Sequence, residues 1–404
     1  MQLSYSARCA YLAPLLFVLL SACRRSDFPE HPDGYREFAY VANTASNSVT
    51  VLDLVYLRLD RTLSVGNAPV ALAASPTRAE VYVLNAQPDQ PAGSVSVIDT
   101  QRNAVVATIP VHHAPAAISV ESTGHRAFVA NTGSNTISVL DLDTRRQLAS
   151  IATSERPTGM IVSPDGRSLL VTRRTGSMVS IFSVAAPNVA GPALSLRATI
   201  SGCPGATDAV ILPDSSKAFV ACSTAEHVLA IGLAAAPGSW AVRQDASLAY
   251  DHALALLQVG HGPTQIALKP DGGEIFVSNS LSDSVSEIST QTNEVGSTYE
   301  IGNRPDHGVV SADNGALWVA NSGADSLSLY SIDDGKMVSS LRTGNGPGAL
   351  AFSADQHLLL AADARSGDVA VIRTNGRLGP ALFTLLPAGS SPSAIVVKAM
   401  EAKP

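Results

Sequence analysis

Eight segments of this chain carry one pattern, two short apolar strands parted by a polar turn that is usually entered through Asn. A repeat of that kind dictates architecture before any other property is weighed. The first strands read Tyr40-Val-Ala-Asn43, Tyr82-Val-Leu-Asn85, Phe128-Val-Ala-Asn131, Leu170-Val-Thr-Arg173, Phe219-Val-Ala-Cys222, Phe276-Val-Ser-Asn279, Trp318-Val-Ala-Asn321 and Leu360-Ala-Ala-Asp363. Their starts are 42, 46, 42, 49, 57, 42 and 42 residues apart. The second strands, Val95-Ser-Val-Ile-Asp99 and Ile137-Ser-Val-Leu-Asp141 among them, alternate Val/Ile with Ser/Thr, the period of two expected of a sheet packed against its neighbours. With 46% apolar and only 15% charged residues, the chain has the means to build a packed core.

Each unit contains two further strands, one such as Val105-Val-Ala-Thr-Ile109 and one after a proline such as Pro263-Thr-Gln-Ile-Ala-Leu268. Turns such as Ser163-Pro-Asp-Gly166 and Lys269-Pro-Asp-Gly272 lead from the proline-preceded strand into the next repeat. Four strands per repeat make the blade of a β-propeller, so the expected fold is all-β, a single propeller of four-stranded blades. From Tyr40 to about Val397 the pattern resembles the YVTN β-propeller family, whose tetrapeptide has the local variants YVAN, FVAN, FVSN and WVAN. Eight motifs predict eight blades; seven is commoner in the resembling family, and the long fifth unit is where the counts diverge. The chain enters the first blade at its Tyr40 strand and ends with Pro392-Ser-Ala-Ile-Val-Val397, which matches the strand preceding every other motif. The C-terminal strand is therefore expected to pair with the first strand and close the ring. The Asn is expected to be a scaffold feature that terminates the strand by bonding its own backbone.

Ahead of the repeats, Arg8 precedes an apolar run from Cys9 to Leu20 that is too short to span a bilayer. Leu20-Ser21-Ala22-Cys23 resembles the lipobox of bacterial lipoproteins, which implies a signal peptide over 1–22, a diacylated Cys23 and a tether over 23–37. The propeller is expected over 38–398, with a tail over 399–404. Arg24 after the cysteine implies outer-membrane delivery, so the expected place is the cell envelope, with the membrane as a partner through the lipid anchor. Loss of Arg8 would take the formal charge from −7 to −8, and so acidic a chain has no electrostatic reason to grip nucleic acid.

Two cysteines remain, Cys203 and Cys222. An exported compartment permits them to pair, and two buried free thiols are the alternative. Neither sits in a zinc-ribbon, thioredoxin-like or haem-attachment spacing. In a propeller the loops entering the inner strands share a face with the turns after the Asn, and this mouth is the usual ligand site. Polar and ionisable side chains recur in those loops: His112, His113, Arg156, Asp208, His261, Arg304, Asp306 and His307. One reading gathers them round the mouth as a divalent-metal or anionic-substrate site. The other leaves each a solvated loop residue, since no loop by itself has ligand spacing. Ser311-x-Asp313-x-Gly315-x-x-Trp318 is similar to the Asp box of sialidase-like propellers but stands where other repeats have the Ser-Pro-Asp-Gly turn, and is read as that turn.

No catalytic fingerprint such as G-x-S-x-G or H-E-x-x-H is present. The first functional expectation is thus a monomeric envelope scaffold without a cofactor, binding a protein or carbohydrate partner. The alternatives are a lactonase-like or other hydrolase with its site at the channel mouth, or an accessory protein of electron transfer.

Overall fold

A computed structural model describes residues 31–87, 89–186, 191–376 and 379–400; the expected signal peptide, lipidated Cys23 and most of the tether lie outside these. Eight four-stranded antiparallel sheets stand round a central channel. Within blade 2 the strands run outward as Pro69–Ala74, Glu80–Asn85, Gly93–Asp99 and Ala104–Val111. Blades 3 to 8 repeat this order, with innermost strands Pro115–Val120, Gly159–Val162, Ala206–Ile211, Pro263–Leu268, Pro305–Val310 and Pro347–Phe352. Blade 1 is assembled from both ends of the fold: Pro392–Met400 is its innermost strand and pairs antiparallel with Arg36–Asn43, from Arg36 opposite Met400 to Asn43 opposite Pro392. The ring is thus closed by the C-terminal strand, as the sequence match predicts. The long fifth unit is an ordinary blade whose extra length lies between its third and fourth strands, in a loop with the short helix Trp240–Gln244.

The middle strands are buried on both faces, which is why they read as nearly continuous apolar runs. Tyr82, Leu84, Val95 and Val97 of blade 2 pack against Ala127, Val129 and Leu140 of blade 3 in one such inter-blade layer. Outermost strands have one neighbour fewer, and Arg146–Ala152 alternates between exposed and half-buried. The Ser311–Gly315 segment is the blade turn: Asp313 accepts from its own Ser311 hydroxyl and the Gly315 N–H, as Asp165 accepts from Ser163 and the Arg167 N–H.

The motif Asn is structural, but by another route than its turn propensity suggests. Asn43 has an extended backbone (φ −110°), and its buried side-chain amide donates across the strand pair to Thr50 (2.9 Å) and Ser48 (3.3 Å). Asn85 donates likewise to Ser96 and Ser94, Asn131 to Ser138 and Thr136, Asn279 to Ser286 and Ser284, and Asn321 to Ser328. The Ser/Thr of the second strand is therefore the Asn's partner. A glycine nineteen residues before Asn85, Asn279 and Asn321 leaves room for the amide; a Cβ on Gly302 would lie 2.5 Å from the Asn321 side chain. In blade 5 cysteines occupy both of these places, and a disulfide joins Cys203 to Cys222 across the same sequence separation of 19, Cα to Cα 4.9 Å. Cys222 stands opposite Ala206, and Gly205, with φ +69°, supplies the bend that returns Cys203 to it.

Blade 8 replaces the Asn–Ser pair with Asp363 opposite Asp368. Burial, reinforced by the neighbouring Asp368 carboxylate, pushes Asp363 up to about 7. A proton held more tightly in the folded state than in the unfolded chain gives stability that is full below about pH 4 and lost as pH rises through about 7. Asp363→Asn keeps the shape of the clamp without the charge, so at pH 8 it should unfold in urea later than the parent by about 1 kcal/mol or more, the advantage vanishing near pH 4. Reducing the disulfide should in turn cost about 3 kcal/mol in urea, measured with and without dithiothreitol.

Candidate ligand site at the channel mouth

Each inner strand starts at the mouth, and most carry a bulge in their first residues, for example between Ala206 and Asp208, Pro263 and Gln265, and Pro305 and His307. A bulge leaves one residue out of the ladder and re-aims its neighbours. Here those residues line a cavity of about 940 Å³ at the mouth end of the channel.

The cavity has two unlike halves. Blades 5, 6 and 7 contribute Thr207 and Asp208, Thr264 and Gln265, and Asp306 and His307, while Arg174 reaches in from the turn that follows Arg173 in blade 4. Blades 8, 1 and 2 contribute Ala349 and Leu350, Ala394 and Ile395, and Val70, with Ser393 turned to the Ala42 and Pro69 carbonyls. Four side chains of the polar half are committed to the scaffold: Thr207 Oγ1 donates to the Pro263 carbonyl at 3.1 Å and Thr264 Oγ1 to the Ser278 carbonyl at 3.2 Å. Asp208 Oδ2 accepts from the Ile266 N–H of the next blade at 2.9 Å, and Gln265 Oε1 accepts from Gly308 N–H at 2.8 Å. His307 is third in this series, and its ring makes no hydrogen bond among the described residues; burial alone pushes it down to about 4. Burial pushes Asp208 up to about 6 against the pull of the Ile266 and Ala209 N–H groups. At pH 7 the imidazole is neutral with both ring nitrogens available, the Asp208 carboxyl is mostly ionised, and exposed Arg174 supplies the positive charge.

Of the eight residues singled out from the sequence, Asp208, Asp306 and His307 come together in this cavity. The other five do not line it. His113 Nδ1 is 2.9 Å from the Gln90 carbonyl oxygen, His112 Nε2 is 3.3 Å from the Gln147 amide, and His261 pairs with Glu226 at 2.6 Å on the exposed rim. Arg156 and Arg304 are exposed, and no ion pair joins Arg304 to Asp306 among the described residues. Nor, among those residues, do three or more His, Cys, Asp or Glu side chains converge closely enough to hold a metal ion. The sequence reading passed over Arg174 and Gln265. Gln265 was accessible in principle, as the amide at a position where the aligned strands of blades 1, 2, 3 and 8 carry Ala394, Ala71, Ala117 and Ala349.

Residues 28–190 and 240–384 match the family described as lactonase, 7-bladed β-propeller. Among the described residues the first stretch holds fourteen strands, through the third strand of blade 4, and the second runs from the fourth strand of blade 5 into the fourth strand of blade 8. The unmatched 191–239 holds four strands, one blade's worth, and includes Asp208 and the disulfide. No curated protein matches the chain. Among solved structures it is similar to a dihydro-haem d1 dehydrogenase in complex with DHE (TM-score 0.68, 16% identity, 91% of this chain and 77% of that one). It is also similar to a protein from Bacteroides uniformis assigned as a 6-phosphogluconolactonase (TM-score 0.59, 17% identity, 90% and 99%). A third is a hydrazine synthase chain from Kuenenia stuttgartiensis (TM-score 0.51, 21% identity, 83% and 92%). At such identities these likenesses establish the fold.

The division between committed and free side chains can be measured. Gln265→Ala strands the Gly308 N–H and should cost about 1–3 kcal/mol in urea unfolding, whereas His307→Ala breaks no hydrogen bond and should cost less. Equal losses would show that the His307 ring is held by the scaffold after all.

Proposed function

The chain belongs to the lactonase, 7-bladed β-propeller family, and from that premise we propose that it is a hydrolase that opens an uncharged cyclic ester in the mouth cavity. The observation that carries this reading is His307, a neutral imidazole without a hydrogen-bond partner among the described residues, in the polar half of a cavity whose other half is apolar. An ester ring with a hydrocarbon portion matches both halves. The apolar wall of Leu350, Ile395 and Val70 takes the hydrocarbon and turns the carbonyl toward blades 4 to 7.

In this reading His307 accepts a proton from water as the water oxygen bonds to the ester carbon. The Arg174 guanidinium donates to the carbonyl oxygen as it gains negative charge. When the ring C–O bond breaks, the imidazolium returns its proton to the departing alkoxide, and a hydroxy acid leaves. Asp208 stays bound to the Ile266 N–H and keeps the polar wall of the cavity in place. The charge balance also speaks to substrate class. Arg174 is outnumbered by Asp306 and by Asp208 above about pH 6, so a phosphorylated lactone is a poor fit and a neutral one a good fit.

A panel of neutral and phosphorylated lactones followed by pH-stat tests this. Neutral lactones should be the better substrates, and His307→Gln should lower kcat/KM by about 100-fold or more. The parent's kcat/KM should fall as pH drops toward about 4, where His307 takes up a proton. Hydrolysis at the uncatalysed rate, or full activity in His307→Gln, would end the proposal and leave a binding scaffold.

A further inference from the structure

Opposite the mouth lies the face formed by the turns between first and second strands and the connections between third and fourth strands. Three aromatic side chains stand out on it, each in a third-to-fourth connection: Tyr56 (71% exposed), Trp240 (72%) and Tyr250 (72%). Leu248 is exposed beside the last two, and the Arg58 guanidinium sits 5.0 Å above the Tyr56 ring. Tyr56 belongs to blade 1 and the Trp240 loop to blade 5, half-way round an eight-bladed ring. The loop is built to stay in place: at its end the buried Asp251 carboxylate accepts two bonds from Arg197 of blade 4, at 2.6 and 2.8 Å, and one from the Ala234 N–H. Its helix begins with a Ser239 cap on the Val242 N–H, yet Trp240 is left pointing to solvent.

The chain enters the fold on this same face. Arg36 begins the second strand of blade 1, and that strand runs from the far face to its Asn43 end at the mouth. Only residues 24–35 separate Arg36 from Cys23, and fully extended they span about 40 Å at most. A lipid on Cys23 would therefore attach the protein through its far face, within about 40 Å of the membrane. Tyr and Trp are the side chains that favour the bilayer–water interface, where an apolar ring and a polar edge are both satisfied. Aromatics on opposite sides of the ring suit a flat occupant better than a peptide. The turns on this face carry both signs, with Asp165 paired to Arg167, Asp271 to Lys269, and exposed Arg58, Arg102 and Lys336 alongside Asp214, Asp313 and Asp355, so no excess of positive charge selects anionic headgroups.

We infer that the far face rests on a zwitterionic lipid surface through Trp240, Leu248, Tyr250 and Tyr56, with Cys23 acylated, so that the channel mouth opens away from the membrane. This does not depend on the hydrolase reading and stands or falls on different measurements. The chain has two tryptophans, and Trp318 is buried (2% exposed), so Trp240 is the reporter. Full-length protein extracted from membranes and reconstituted into phosphatidylcholine vesicles should show acylated Cys23 by mass spectrometry. In a Trp318→Phe background, lipids brominated near the headgroup end of their chains should quench Trp240 emission by about half. Should that core substitution prevent folding, Trp240→Phe in the parent gives the complementary reading, an emission indifferent to bromine. An unmodified Cys23, or Trp240 emission unchanged by bromine in acylated protein bound to the vesicles, would overturn the inference.

Discussion

No blade of this protein can satisfy itself. The second and third strands of each sheet are apolar on both faces, as in Glu80–Asn85, where every residue is buried, and a sheet of that kind exposes a hydrophobic surface until a neighbour covers each side. Seven neighbours in a row would still leave two bare faces, so the only state that buries all of them is a closed ring. The clamps follow from this demand. Hydrogen-bonding groups confined between apolar layers call for partners there, and the Asn NH2 group finds them in the Ser/Thr hydroxyls of the adjacent strand, while the amide oxygen takes the Gly389 N–H in Asn43 and has no partner among the described residues in Asn85, Asn131, Asn279 and Asn321.

The channel escapes that demand, because side chains on the inner strands face solvent rather than another sheet. There the repeat relaxes, and positions that are alanine in blades 1, 2, 3 and 8 become Asp208, Gln265 and His307 in three consecutive blades. A repeat scaffold with one divergent sector yields a cavity with a polar and an apolar side. Asp208 comes from the segment outside the family match, so the last strand of blade 4 and the first three of blade 5 lie beyond the family's pattern and bring with them one of the cavity's ionisable groups.

Much of the fold was readable from the residues. Motif spacing gave the blade number, and the likeness of Pro392–Val397 to the other proline-preceded strands gave the closure. The purpose of the motif Asn was not, since it rests on register: Asn43 meets Ser48 and Thr50 only once the strands are paired. The disulfide was half legible. Its separation of 19 is that of the glycine and Asn in neighbouring repeats, a coincidence that becomes informative only when those two are known to touch. For the site, residue type was a poor guide to convergence. Histidines at equivalent-looking loops went to the Gln90 carbonyl, the Gln147 amide and the Glu226 carboxylate, and Arg174 was hidden in a turn beside the variant Arg173.

Blade 1 draws its innermost strand from residues 392–400 and the rest from residues 36–64. A chain made from its N-terminus therefore presents, for the whole of its synthesis, a three-stranded sheet with a free inner edge whose partner is the last segment to arrive. Contacts at such separation form late, because the long intervening loop must be closed before they are rewarded. Blades 2 to 8 can assemble in order as they emerge, but the edge at Arg36–Asn43 stays open to pairing with other chains until the end. Premature termination late in synthesis thus harms this protein out of proportion to the residues lost. The hazard falls during biogenesis, when a holdase with affinity for extended strands would have the most to protect.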